Sequence, residues 1–318
     1  MTITALELFC GIGGFSAAAA GLPVRIVGAL DQNQEALAVY RLNFPAHRAV
    51  QADLERITAE ELASFHADFW WLSPPCQPYS VRGARRDLAD PRARSLANIM
   101  DELPRIPTGR LPTHLALENV EGFSLSRARE RLLALLAGRG YRVREFRLCP
   151  SHLGIPSRRP RYYLAASRSA VHELRVSPPP EMNPLACYLD PTLSLTIPET
   201  LLMPAEILDR FGDGLRILDS GDPDAYTTCF TSGYGRSIMH AGSYLRQGTA
   251  VRRFAPEEIA RLLHFPDGFS FPPHMSCRAR WRLIGNSLSV IAVRTVLAAF
   301  PSLHAEPAYH PSGTNPSG

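Results

Sequence analysis

Cys76 stands in Ser73-Pro-Pro-Cys-Gln-Pro-Tyr-Ser80, directly after the apolar run Asp68–Leu72. Two prolines stiffen the approach, and a loop beyond a buried strand would present the thiol at the top of a sheet. A free thiol ionises near pH 8.5, so a nucleophilic role requires a nearby positive charge or helix start. Arginines 82, 85 and 86 follow at once. The bland alternative is an inert core cysteine, which the surrounding Pro and Gln disfavour. A second group is Glu118, in Leu117-Glu-Asn-Val120 at the end of another apolar run. A carboxyl there would lie close to the Cys76 loop in a parallel sheet. It could share a proton if its pKa were raised, or simply pair with one of many arginines. A third feature is Gly11-x-Gly13-Gly14, between a strand and a helix, the setting for a nucleotide-type ligand or a tight structural turn. Asp31, 20 residues past Gly11, ends the next strand. It can accept hydrogen bonds from both ribose hydroxyls or serve as a solvated helix cap.

These residues need elements to position them. Ala5–Phe9, Val24–Leu30, Ala49–Gln51, Asp68–Leu72 and His114–Glu118 read as strands, with helices at Ala17–Ala20 and Gln34–Leu42 between the first three. That rhythm predicts an α/β fold with a doubly wound, mostly parallel, Rossmann-like sheet, whose ligands sit beyond the carboxyl ends of the strands. Arg142–Leu148 and Arg161–Ala166 are two further strands. From Ser177 to Pro204 prolines interrupt any long element, which marks a smaller, irregular second domain. Glu257–Leu263 reads as a short helix and Leu288–Ala299 as a buried closing helix. The expected organisation is a catalytic and cofactor-binding domain over 1–170, a target-recognition domain over 171–255, a return to the first domain over 256–300 and a disordered tail over 301–318.

Composition narrows the class. The 318 residues carry 34 basic side chains, all arginine, and 30 acidic ones. Apolar content of 45% excludes a disordered chain, and no run of about 18 apolar residues suggests a membrane span. Charge is unevenly spread. Residues 1–81 have 4 arginines and 8 acids, 82–175 have 19 and 9, and 176–318 have 11 and 13. A basic middle third suggests a polyanionic partner. The absence of lysine is read as coding bias. The six cysteines form no C-x-x-C pair and no Cys/His cluster with zinc spacing. Free thiols, no metal and a cytoplasmic location are therefore expected, since the N-terminus also lacks signal-peptide character.

The order Glu7-Leu-Phe-Cys-Gly-Ile-Gly-Gly-Phe15, Pro74-Pro-Cys-Gln-Pro-Tyr-Ser80, Glu118-Asn-Val120, Arg159-Pro-Arg161 and Gly285-Asn-Ser287 resembles the cytosine-5 methyltransferase family. The resemblance spans about 280 residues. It implies S-adenosylmethionine as cofactor, held by Phe9, Ile12, Gly13, Gly14, Asp31, Asp53, Leu54, Ser73, Asn286 and Ser287. It implies that Cys76 adds to C6 of a cytosine, that Glu118 protonates or hydrogen-bonds N3, and that Arg161, with Arg159 beside it, holds the O2 side. The target base must then leave its stack. One departure is Ser157, where the family's arginine motif usually begins with Gln.

The second domain bears on the substrate. Cys229-Phe230-Thr231, with Gly233-Tyr-Gly235 and Phe254-Ala-Pro-Glu-Glu-Ile259, looks like the branch that methylates cytosine in transfer RNA, typically position 38 of the aspartate tRNA. Tyr79 stands where that branch commonly has Phe. Substrate contacts are expected from Gln77, Ser80, Arg82, Arg85, Arg86, Asn119, Cys229, Phe230 and Thr231. Cys229 could support the site as a second thiol or be packed core. The loop Val81–Ser95, with its five arginines, is expected to move over the substrate or to be a solvated surface loop. Duplex DNA is the alternative substrate, but it would need an element that reads a groove. Residues 206–224, with six acids and two arginines, suit such a task poorly. The chain is expected to act as a monomer.

Overall fold

In the computed structural model, residues 2–80, 86–174 and 181–304 are described. β1 (Ile3–Leu8), α1 (Gly14–Ala19), β2 (Val24–Asp31), α2 (Gln34–Asn43), β3 (Ala49–Gln51), α3 (Ala59–Ser64) and β4 (Phe69–Leu72) form the first half. α4 (Arg94–Glu102), β5 (His114–Val120), α5 (Arg127–Gly138), β6 (Arg142–Leu148), a two-residue β7 (Ser157–Arg158) and β8 (Arg161–Ser167) complete it. Seven of these strands make one sheet in the order β3-β2-β1-β4-β5-β8-β6. The first five run parallel, while β8 is antiparallel to both β5 and β6. Strand order reverses between β1 and β4, and that switch point opens a crevice beyond their carboxyl ends. The register sets Leu8 level with Leu30 and Leu72, and Leu72 level with Leu117. The glycine turn, Asp31, the Cys76 loop and Glu118 therefore end at one height.

The sequence explains the layers. All four residues of β4, Phe-Trp-Trp-Leu, are buried, as a central parallel strand requires. Successive side chains point to opposite faces. Trp71 packs on the side of α1 and of the Val290–Leu297 helix, and Trp70 on the α3, α4 and α5 side. Phe15 of α1 stacks on Phe69 and Trp71, with ring centroids 5.7 and 5.2 Å apart. Truncating either tryptophan would cost about 3–5 kcal/mol. Helix starts are chemically marked: Asn33 accepts from Glu35 and Ala36 N–H, Thr58 and Glu61 form a reciprocal cap, and Ser126 accepts from Arg129 N–H.

The chain then adds α6 (Ala205–Phe211), β9 (Ile217–Asp219), β10 (Thr227–Thr228), β11 (Tyr244–Gln247) and β12 (Ala250–Arg253). β9, β11 and β12 make a small sheet, and β10 pairs with β7. Before α6, the proline-rich stretch forms only short 3-10 turns among the described residues. The core of this small sheet is continuous with that of the main sheet, since Leu218, Tyr244 and Val251 belong to the same buried cluster as Phe69 and Trp71; within it Trp281 donates to the Phe254 carbonyl at 2.9 Å, and Tyr234 donates to Ser243 O at 2.7 Å. α7 (Pro256–Leu262), α8 (Cys277–Asn286) and α9 (Val290–Leu297) return the chain to the first strand layer. Arg294 of α9 donates to Ala20 O at the end of α1.

The sheet is mostly parallel, as expected, with β8 antiparallel to both of its neighbours. The expected closing helix over Leu288–Ala299 is α9, and a separate helix, α8, precedes it, capped by Ser276 accepting from Ala279 N–H. The tail does not start at 301: Pro301–Leu303 is a 3-10 turn with Leu303 buried, and Ser302 Oγ lies 2.9 Å from His114 Nε2. Residues 305–318 lie outside the described residues, as do Arg82 and Arg85. Among the described residues no helix is long and apolar enough to cross a membrane.

Candidate active site

A cleft of about 360 Å³ occupies the switch-point crevice. One wall carries Phe9, Gly11, Ile12, Gly14, Asp31 and Leu54, and the other Cys76, Gln77, Glu118, Arg159 and Arg161. Ser73 lies between them, and Gly285-Asn286-Ser287 closes one side.

The first wall is held by backbone geometry. Phe9 and Gly13 both adopt left-handed φ, +59° and +92°. At Gly13 a Cβ would meet the Phe44 ring at 2.3 Å, so the turn demands glycine there. Asp31 Oδ2 accepts from Gly11 N–H and Oδ1 from Asn33 N–H, each at 2.8 Å. Burial pushes the Asp31 carboxyl up, although these N–H groups oppose the shift. Beneath the turn Glu7 is fully buried. It accepts from Ser16 Oγ at 2.7 Å, Phe15 N–H at 3.3 Å and Tyr40 Oη at 3.3 Å. Burial outweighs these bonds and raises its pKa to about 8.

The second wall is built from side chains. Glu118 faces Tyr163 across the β5–β8 ladder, and Arg161 lies two residues along, on the same face. Arg161 Nε sits 3.2 Å from Glu118 Oε1, with both groups largely buried. Burial raises the Glu118 pKa, and Arg161 and Arg159 oppose this. Burial likewise raises the Cys76 thiol; Arg161 lowers it, anionic Glu118 raises it and Arg159 lowers it. The positive neighbours expected from sequence are thus present, but Arg161 and Arg159 supply them from across the sheet. Asn119 Nδ2 donates to the Pro74 carbonyl at 3.1 Å, tying the Glu118 strand to the thiol loop.

Arg159 joins three segments. It donates to Phe230 O at 2.9 Å, to Cys229 Sγ at 3.1 Å, to Gly285 O at 3.2 Å and to Ser287 O. Both of its terminal nitrogens are committed to the protein, which makes it a positioning group, while its buried Nε has no partner among the described residues. Gly285 must be glycine, because a Cβ would fall 2.4 Å from the Thr231 backbone. Burial alone would push the Cys229 thiol up, but Arg159 and Arg161 more than offset it and hold the thiol below its usual range.

Other expected site residues fall elsewhere. Asp53 does not line the cleft; it accepts from Glu55 N–H at 3.0 Å and pairs with Arg56 at 3.5 Å on the surface. Gly13 supports the turn from behind. Phe230 is core, edge-on to Tyr234 and Phe254. Thr231 accepts from Gly233 N–H and packs on Gly285. Ser80 and Arg86 do not reach the cleft. Ser157, in place of Gln, is buried and pairs with Thr227. Sequence reasoning missed Gln32, Asn33 and Leu288 on the first wall and Ser95 near the second, and gave Arg92 only as one of the loop's arginines. Asn33 and Gln32 follow Asp31 directly and could have been flagged by that adjacency. Among the described residues no cluster of three or more His, Cys, Asp or Glu could hold a metal, and all six cysteines are free.

Residues 3–191 match the C-5 cytosine-specific DNA methylase family. The chain is 30% identical to a tRNA (cytosine(38)-C(5))-methyltransferase of Schizosaccharomyces pombe, with 92% of this chain and 95% of that protein covered. It is 29% identical to the Bos taurus protein of the same name, over 92% of this chain and 98% of that one. Among solved structures, the S. pombe Dnmt2 methyltransferase superposes with a TM-score of 0.80 at 28% identity, covering 94% of this chain and 98% of that one.

Proposed function

The chain belongs to the C-5 cytosine-specific DNA methylase family and is a cytosine-5 methyltransferase, and we propose that its substrate is transfer RNA, at cytosine 38 in the anticodon loop of the aspartate tRNA, in the cytoplasm. The observation that carries the chemistry is the convergence of Cys76, Glu118 and Arg161 in the same cleft as the glycine turn and Asp31.

S-adenosylmethionine is the cofactor of this reading. The first wall fits it: each Asp31 oxygen holds one backbone N–H and keeps a further acceptor direction, with no guanidinium competing among the described residues, which suits two ribose hydroxyls. Phe9, Ile12, Gly14, Leu54 and Ser73 would flank it, and Asn286 and Ser287 would close over it. When bound, it supplies an electrophilic methyl group. The chain's own residues prepare the base. Cys76 as thiolate adds to C6, and the displaced electron pair is accepted at N3 with a proton from Glu118. Arg161 hydrogen-bonds the O2 side, and C5 becomes the nucleophilic carbon. Loss of the C5 proton and release of Cys76 restore the ring. Glu118 serves twice here. Its raised pKa keeps a proton available, and in its neutral form it no longer raises the Cys76 pKa.

The names of the relatives support RNA. So does the small second sheet with its acidic 206–224 stretch, which offers little for tracking a duplex. An anticodon loop presents unstacked bases, so flipping costs little. Bisulfite sequencing of tRNA with and without the enzyme tests the reading: a new unconverted cytosine at position 38 is expected. Methyl transfer into duplex DNA but not into bulk tRNA would replace it with the DNA reading.

A further inference from the structure

Behind the Cys76 turn lies a second cavity, of about 480 Å³, that the reaction above does not use. Pro78, Tyr79, Glu121, Ser124, Leu125 and Arg147 line it. It shares the Gln77–Tyr79 turn with the catalytic cleft, so whatever occupies it is a near neighbour of the target base.

Its chemistry is specific. Leu125 is 86% exposed, an apolar platform that the fold leaves uncovered. Arg147 is exposed; among the described residues its one hydrogen bond is a long 3.4 Å contact to Ser124 Oγ, and its charge also acts on Glu145, which is already paired with Arg129. Glu121 is exposed, and its carboxylate has no partner among the described residues. A cation and an anion thus face one cavity without neutralising each other. Asp87, also on the rim, is already committed: its carboxylate accepts from Arg127 N–H at 2.5 Å and Ala128 N–H at 3.3 Å at the start of α5. Tyr79 is only 3% exposed, yet its hydroxyl has no hydrogen-bond partner among the described residues. A buried, unsatisfied hydroxyl is costly, and it is the atom by which Tyr79 differs from the Phe that the resembled branch commonly carries.

We propose that this cavity receives a second unstacked base of the same RNA, a guanine adjacent to the target cytosine. The inference rests on RNA being the substrate. Guanine alone among the four bases presents two adjacent donors, N1–H and N2–H, to a carboxylate, and two acceptors, O6 and N7, to a guanidinium fork. Glu121 takes the first edge, Arg147 the second, and Leu125 and Pro78 take the ring face. Adenine, cytosine and uracil each leave one of the two charged groups poorly matched.

The test measures kcat/KM on anticodon stem-loop RNAs in which each base flanking the target is set in turn to G, A, C and U. The wild-type enzyme is expected to favour guanine at one flank by about tenfold or more. Glu121→Gln and Arg147→Ala should each lower the rate on the guanine RNA about tenfold and level the preference. Unchanged S-adenosylmethionine affinity in both variants separates that result from loss of fold. RNA methylation with no flanking preference, or a preference that survives both substitutions, would overturn the guanine pocket and leave the tRNA reading standing. Transfer into duplex DNA alone would overturn both.

Discussion

The two walls of the cleft hold carboxyl groups by opposite means. On the first wall Asp31, and beneath it Glu7, are bound by backbone N–H and hydroxyl donors, and among the described residues no guanidinium contacts either. On the catalytic wall, Glu118 is bound by Arg161, and Arg159 and Arg161 together adjust the thiols of Cys76 and Cys229. The difference follows from what each wall must do. Donors fixed by strands and turns give a rigid acceptor for a ligand that is gripped but not protonated. Buried charged side chains set one another's proton affinity, which suits the proton transfer proposed for the second wall.

Removing the nucleophile draws the contrast most sharply. Cys76→Ala should lower methyl transfer at least about a thousandfold while leaving S-adenosylmethionine affinity nearly unchanged in calorimetry. Wild-type-level transfer would refute the assignment of the second wall. Next in size is Glu7, on the other wall, read as stability against pH. Its folded pKa of about 8 lies above the 4.5 of an ordinary glutamate. Between those values the folded state holds a proton that the unfolded chain has lost, so stability is full below about pH 4.5 and falls as pH rises towards 8. The total fall attributable to this group is on the order of 3–5 kcal/mol. Glu7→Gln keeps a neutral, hydrogen-bonding side chain and should flatten that slope in urea titrations at pH 5 and 8. An unchanged slope would show that Glu7 is ionised in the fold.

The two walls were unequally legible in the sequence. The first is local: a glycine turn, and an acid 20 residues past Gly11 at the end of the next strand, are spacing signals that β1 and β2 convert directly into geometry. The thiol and carboxyl of the second wall were also visible, as odd polar residues after apolar runs. Their mutual control was not. Arg161 reaches Glu118 through an antiparallel register between β5 and β8 that strand propensity does not specify. Arg159 contacts residues 126 and 128 positions away in sequence. The misplacement of Asp53 has a related cause: spacing put it beyond β3, but an adjacent arginine and a local N–H turned its carboxylate outward. Phe230 looked like a contact residue because its neighbours Cys229 and Thr231 stand in a distinctive motif, whereas its ring was needed for the core.

Arg159 is where the walls meet, because it holds Ser287 of the cofactor side and Phe230 of the catalytic side with one planar fork. Arg159→Lys keeps the charge but cannot serve those carbonyls together. A loss of about 2–3 kcal/mol in stability is expected, with both cofactor affinity and transfer rate reduced. Loss of transfer alone would mean that the walls are independent.

The smallest effect tests the rigid wall by itself. Asp31→Asn changes one oxygen to an NH₂ group while preserving shape. The two backbone donors, Gly11 N–H and Asn33 N–H, approach different oxygens. Whichever way the amide turns, one of them meets a donor instead of an acceptor, and one ribose hydroxyl loses its charged partner. S-adenosylmethionine should bind about tenfold more weakly, equivalent to about 1.4 kcal/mol, with transfer at saturating cofactor close to the wild-type rate. The corresponding Glu118→Gln exchange should do the reverse, depressing the rate at saturation with cofactor affinity preserved, because an amide cannot give N3 its proton. If both substitutions moved the same parameter, the division of labour between backbone-held and guanidinium-held carboxyls would fail.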